Sequence, residues 1–310
     1  MEKFENHKSL HCVKGALNTL YDKRTKQMKL WIIFILLYGI LKGSREPIKK
    51  AILKDVGVLT TLFVYTFVGF LMSAPTAVGV FSLTPFAFWL VVIKSFVIFV
   101  AWILAFFAIK KVPVSVYGIC DMSRVIFSTL LGVFFLGESL TAKGIVSLIL
   151  VACGLYFANT KKSAENENYK MKYIWLIIIE CFLNAVSGTM DKYIMSTGEI
   201  TASALQFWFM LLLSVFYLGY ILIKREKLEL KKAFTNPWIY VLSLSLILGD
   251  RMLFSANADP ESQVTVMTLV KQSSAIVTII LGRLVYKEKN IIRKLICAGV
   301  ILLGIALAII

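Results

Sequence analysis

Histidine is almost missing from this 310-residue chain: the only two, His7 and His11, fall in a polar N-terminal stretch. Catalysis by a buried imidazole is excluded, and no HExxH sequence exists to hold a catalytic zinc. The five cysteines (Cys12, Cys120, Cys153, Cys181 and Cys297) form no CxxC pair. Four lie in apolar runs, where cysteine behaves as a small hydrophobe. Neither a disulfide framework nor a metal site nor a cofactor is expected. Ala185-Val186-Ser187-Gly188 lacks the leading glycine of GxSG, and Leu248-Gly249-Asp250 lacks the earlier glycine of GxGD, so an intramembrane enzyme is not expected. Charge is scarce at 17%, and acidic residues scarcer still, 18 against 34 Lys and Arg.

What fills the chain instead is apolar: 58% of residues are hydrophobic, and the mean hydropathy is +0.79. Apolar runs of membrane-spanning length recur from Leu30 to Ile310, which identifies a multi-pass membrane protein. Ten spans are expected, at roughly 30–50, 56–73, 86–109, 113–136, 142–159, 173–194, 201–223, 237–256, 262–286 and 292–310. Each must be helical, because a segment in lipid has to satisfy its own backbone hydrogen bonds. Residues 1–29 form a basic tail with seven Lys or Arg and no apolar core. This is not a secretory signal peptide. The net charge of +16 suits anionic headgroups, with no nucleic-acid partner expected.

The polar connection 161–172 divides the spans into halves, 30–160 and 173–310, and the halves echo each other. Sliding 112–156 onto 262–306 at an offset of 150 gives eight identities without a gap. Among them are Ser123/Ser273, Gly132/Gly282, Glu138/Glu288 and Gly154/Gly304, which hydrophobic composition supplies less readily than aliphatic matches. A looser echo joins Ser44-Arg45 to Ser187-Gly188. Five spans per copy is an odd number, so the second copy enters from the opposite side. Two inverted five-helix repeats with a site near the midplane are a recurring transporter architecture.

Phe134-Phe135-Leu136-Gly137-Glu138 closes the fourth span and Leu284-Val285-Tyr286-Lys287-Glu288 the ninth, each followed by a glycine-bearing helix. This resembles the EamA-like branch of the drug/metabolite transporter superfamily, across about residues 30–310. The ninth span departs from the pattern, ending YKE rather than LGE. The resemblance implies an all-α membrane protein that exports amino acids or other metabolites. More distant relatives exchange sugar phosphates or nucleotide sugars.

Ionisable residues inside spans are costly and mark functional positions. Three helical rows stand out: Asp121, Arg124, Ser128; Glu180, Asn184, Ser187, Asp191; and Lys271, Ser274, Thr278. Together they suggest an aqueous cavity, against the duller reading of internal ion pairs without cargo. Candidates for binding or coupling are Lys271, Gln272, Asp121, Arg124, Glu180, Asn184, Asp250, Arg251 and Ser274. Lys271, Arg124 and Arg251 would hold a carboxylate or phosphate, and Asp121 or Glu180 an amine or proton. Asp121 and Lys271 are equivalent by the offset and are expected to pair or to flank the site.

Lys42, Arg45, Glu46 and Lys94 read as snorkelling residues nearer an interface and rank lower. Asp191 and Lys192 read as a helix end. Glu138 and Glu288 read as caps of the helices that follow them. Gly132, Gly144, Gly154, Gly282, Gly299 and Gly304 read as close-packing positions, and the six prolines as span-end breakers.

The expected function is secondary transport of a small polar or zwitterionic metabolite, amino-acid-like and exported, by alternating access in the plasma membrane. The expected partners are that small-molecule substrate, the bilayer and a coupled proton or ion. The alternative cargoes are an organophosphate, a nucleotide-sugar or a lipid-linked sugar; no filter motif supports a channel. Loops after odd-numbered spans carry 19 Lys or Arg against nine on the other face. The positive-inside rule puts those loops in the cytoplasm, whereas the resemblance implies cytoplasmic termini. Orientation, coupling ion and oligomeric state are left open by the residues.

Overall fold

A computed structural model describes residues 31–137, 142–158, 170–259, 262, 267 and 271–309. The basic tail, Glu138, Pro260 and most of the 161–172 connection lie outside the described residues. Twelve α-helices and a short 3₁₀ helix (Ala74–Thr76) occur among the described residues, and no strand. In the first half they are α1 (31–52), α2 (Val58–Ser73), α3 (Pro85–Lys111), α4 (Val114–Asp121), α5 (Arg124–Leu136) and α6 (Ala142–Ala158). The second half has α7 (Met171–Ser196), α8 (Ala202–Lys224), the short α9 (Leu230–Thr235), α10 (Pro237–Asn257), α11 (Ser273–Tyr286) and α12 (Ile291–Ile309). Among the described residues, six segments are long and apolar enough to cross a membrane: α2, α3, α4 with α5, α7, α8 and α10.

The boundaries follow local chemistry. Thr84 caps α3 by accepting from the Ala87 N–H, with Pro85 in the first turn and Lys110 and Lys111 in the last. Thr201 does the same for α8, and Asn236 accepts from Trp238 N–H to start α10 at Pro237. At the other end, α5 stops on Gly137 at φ 68° and α11 on Lys287 at φ 52°. Both are left-handed caps, one repeat apart, so YKE keeps the backbone turn of LGE with a lysine in the glycine's place.

Along α3, Trp89, Ile93 and Phe96 are exposed while Val91, Lys94, Ser95 and Ile98 are buried. The apolar face is thus turned outward and the charge inward, the arrangement expected in lipid. Helices that match between the halves pack on each other: α2 with α8, α4 with α11, α6 with α12. Gly154 of α6 faces Ile301 of α12, and Gly304 of α12 faces Leu150 of α6, so the close approach is reciprocal. Gly299 has nothing within 4 Å of where a Cβ would sit, so the packing role expected for it does not hold.

Two features depart from the sequence reading. The fourth span is not one helix: it breaks at Met122-Ser123, where Met122 N–H and Ser123 N–H bond three residues back at 3.1 and 3.0 Å. A turn at Gln272 precedes α11 at the matching place. Glu288 does not cap its own following helix; its carboxylate takes the backbone N–H groups of Val114 and Ser115 at the start of α4.

Candidate functional site

The break at Met122-Ser123 and the turn at Gln272 lie next to residues that line a polar cavity of about 110 Å³, walled by α1, α2, α3, α4, α5, α7, α8 and α10 together with Met267 and Lys271. Its wall carries six cations (Lys42, Arg45, Lys49, Lys94, Arg124 and Lys271) and five carboxylates (Glu46, Asp121, Glu180, Asp191 and Asp250). Burying that much charge is tolerable only where each group is matched by another or by a ligand.

Around the α4–α5 break the charges alternate. Asp121 receives Lys42 Nζ from α1 on one oxygen and Arg124 NH2, at 2.6 Å, on the other. Arg124 NH2 also reaches Glu180 Oε1 of α7 at 3.0 Å, and Asn184 Nδ2 donates to the same oxygen at 2.5 Å. The spacing of three between Asp121 and Arg124 survives the interruption, so one guanidinium joins both sides of the break to α7. Asp121, Glu180 and Cys181 bring potential metal-ligand atoms within 4.8 Å of one another. Arg124 and Lys42 already supply the positive charge there.

Elsewhere on the wall, Lys94 of α3 meets Asp191 of α7 at 2.9 Å, and Arg45 of α1 meets Asp250 of α10 at 3.7 Å. The first and third helices of one half therefore pair with the third and first of the other, with the charges exchanged. Arg45 also lies over Tyr38 at 5.4 Å, and Glu46 pairs with Lys49 at 2.8 Å. Every lining carboxylate thus has a cation. Among the described residues, Lys271 is the lining cation with no carboxylate in ion-pair range; its ammonium stands over the Tyr38 ring, 6.0 Å from the ring centre.

Of the residues singled out from sequence, Lys271, Asp121, Arg124, Glu180, Asn184 and Asp250 line this cavity. Asp121 and Lys271 share its wall without pairing, because Lys42 and Arg124 already hold the carboxylate. The rows beginning at Asp121 and Glu180 face the cavity throughout. The Lys271 row divides: Ser274 packs against Gly43, and Thr278 Oγ1 donates to Gly43 O at 3.1 Å and Ser274 O at 2.9 Å. Gln272 is fully buried away from the wall, with neither amide atom bonded. Arg251 points elsewhere, to Gln206 Oε1 at 2.8 Å and Thr76 Oγ1 at 3.0 Å.

Lys42, Arg45, Glu46 and Lys94 do not snorkel. All four are turned into the cavity, and Lys94 is only 1% exposed. Asp191 likewise belongs to the wall, while its neighbour Lys192 binds the end of α10 through Asn257 O at 3.2 Å. The missed signal was depth: Lys94 is ten residues into a 27-residue helix, too far from either end for its stem to reach water.

The comparisons with known proteins agree with this architecture. The EamA-like transporter family matches residues 29–160 and again 171–310. A solved structure described only as "Crystal structure of protein" superposes with a TM-score of 0.63 at 13% identity, covering 92% of this chain and 97% of that one. At that identity it speaks for the fold alone. No curated protein matches the chain. With two family repeats, span-length apolar helices and a charged cavity between the halves, the chain belongs to the EamA-like transporter family, a multi-pass membrane transporter of the drug/metabolite type.

Proposed function

We propose that the chain carries a small metabolite bearing a carboxylate, zwitterionic and amino-acid-like, outward across the plasma membrane by alternating access of its two repeats. The observation that carries this is Lys271, a cation on the cavity wall left over after every lining carboxylate has found its own. The carboxylate end of such a cargo finds a partner in Lys271 without taking a cation from any lining carboxylate, which favours binding over an empty site. Asn184, the Tyr38 hydroxyl and the Asp121–Arg124–Glu180 chain supply polar groups for the rest of the molecule. The discontinuities at 122–123 and 272 support the alternating part of the reading, since discontinuous helices form the midplane site around which inverted repeats rock.

Surplus positive charge also fits a phosphate monoester, so the cargo classes have to be separated by measurement. A thermal-shift screen of the purified chain, wild type beside Lys271→Met, against amino acids and sugar phosphates does so. Hits are followed by counterflow in proteoliposomes. The reading expects an amino-acid-like ligand that stabilises wild type and loses most of its effect in Lys271→Met. A ligand stabilising both equally removes Lys271 from the site, and phosphate esters alone as hits replace the cargo class.

A further inference from the structure

Lys94 occupies an enclosure built by the other repeat. Its ammonium lies 2.9 Å from Asp191 Oδ1 on α7, 3.6 Å from the ring centre of Phe209 on α8 and 4.8 Å from that of Phe254 on α10. Both rings are nearly inaccessible, at 3% and 1% exposure. Two aromatic faces and one carboxylate, with water excluded, are the groups that recognise an ammonium by charge and by ring quadrupole. Nothing in those three walls is particular to a lysine of this chain. All four residues also line the polar cavity, so the enclosure opens onto the space where cargo would sit.

We infer that Asp191, Phe209 and Phe254 form an alkylammonium subsite, that the chain fills it with its own Lys94, and that the amine of a cargo competes with Lys94 for it. The inference rests on the transport reading above and extends it to the cargo's cationic end. Filling the subsite from within explains how a buried carboxylate stays matched when cargo is absent. A lysine suits the task because its ammonium is a compact charge on a flexible stem that can withdraw. Once displaced, Lys94 stands free on the same wall as Lys271, so an incoming zwitterion exchanges one ion pair for another and net charge in the cavity is conserved. The subsite belongs to the second repeat and its plug to the first, which ties the exchange to the relative position of the halves.

The test is rescue of a truncated lysine by a free amine. Lys94→Ala, and Lys94→Val as a version keeping more packing, are purified in detergent. They are melted with n-butylammonium chloride, with n-butanol and with sodium chloride at equal concentration. The expected result is a lowered melting temperature that butylammonium alone raises by about 3 °C or more at tens of millimolar. Adding Asp191→Asn or Phe209→Leu should abolish the response. If neither truncation is stable alone, recovery of monodisperse protein when butylammonium is present during solubilisation, and not with butanol, carries the same meaning. No selective effect of butylammonium in either assay, or one that survives Asp191→Asn, overturns the inference. Failure here leaves the Lys271 screen intact, and failure of that screen leaves amine rescue intact, so the two ideas fall separately.

Discussion

Glu288 of the second repeat caps a helix of the first: its carboxylate accepts from Val114 N–H at 2.7 Å and Ser115 N–H at 3.0 Å, across 174 and 173 residues of chain. Ser115 Oγ also bonds it, and Lys294 Nζ lies 3.8 Å away. Two backbone donors at a helix start, out of reach of water, take a carboxylate better than any neutral group. Glu288→Ala should therefore cost about 2 kcal/mol, and Glu288→Gln about half of that, because the amide oxygen still accepts one bond. Unfolding of the purified variants in detergent measures both, and equal losses would show that charge, not bonding, is what matters.

The cap residue Lys287 holds a left-handed conformation at φ 52° where the first repeat has Gly137 at φ 68°. A side chain there costs roughly 1 kcal/mol relative to glycine. Lys287→Gly should raise stability by about that amount, and Gly137→Ala should lower it similarly. No gain from Lys287→Gly would mean that the lysine side chain compensates through contacts of its own.

A Cβ on Gly154 would stand 2.4 Å from Ile301 Cγ1, and one on Gly304 would stand 2.6 Å from Leu150 Cβ. Both substitutions to alanine should separate α6 from α12 and cost about 1–3 kcal/mol each. A Gly299→Ala control, at a position open for 4 Å, should be neutral. Thermal unfolding of the three variants makes the comparison.

Asp121 touches Lys42 and Arg124 but not Lys271, and coupling energies should follow contact. In a double-mutant cycle, Asp121→Asn with Lys42→Met should depart from additivity by about 1–3 kcal/mol, whereas Asp121→Asn with Lys271→Met should add to within about 0.5 kcal/mol. The reverse order would place the Lys271 side chain on Asp121.

Outside the membrane, Glu229 holds α9 to the start of α2 by accepting from Gly57 N–H at 3.0 Å and from Lys232 Nζ at 2.7 Å. The Lys232 hydrogen bond first, then the Gly57 N–H, keep the Glu229 carboxyl below its ordinary value of 4.5. A carboxylate depressed in the folded state contributes above its unfolded value and loses that contribution as pH falls through the lowered one. Hydrogen exchange at the Gly57 amide should speed up, relative to neighbouring amides, as pH falls through that lowered value. In Glu229→Gln that acid-dependent step should vanish.

Much of this architecture was readable in advance, for physical reasons. Apolar length locates spans, and the constant offset of 150 aligned Gly154 with Gly304 before either was seen to face the other half. Spacing along one helix was also reliable: Asp121 with Arg124, and the four polar residues of α7, share faces as the helical period requires. Pairing across helices was not readable. Lys42 with Asp121 and Lys94 with Asp191 are brought together only by the fold, and no local period records them. Glu288 misled for the same reason, since a carboxylate beside a helix start in sequence was beaten by a helix start closer in space. The break at Met122-Ser123 left no mark because neither residue is a glycine or a proline.

The exchanged ion pairs of the cavity decide which halves can assemble. Lys94 and Arg45 are both cations on the third and first helices of one half; Asp250 and Asp191 are both anions on the same helices of the other. Two copies of the first half set face to face would oppose cation to cation, and two copies of the second would oppose anion to anion. Each half is thereby a poor partner for itself and a good one for its sibling. A gene cut at the 161–172 connection would encode two fragments with a built-in rule of obligate mixed pairing.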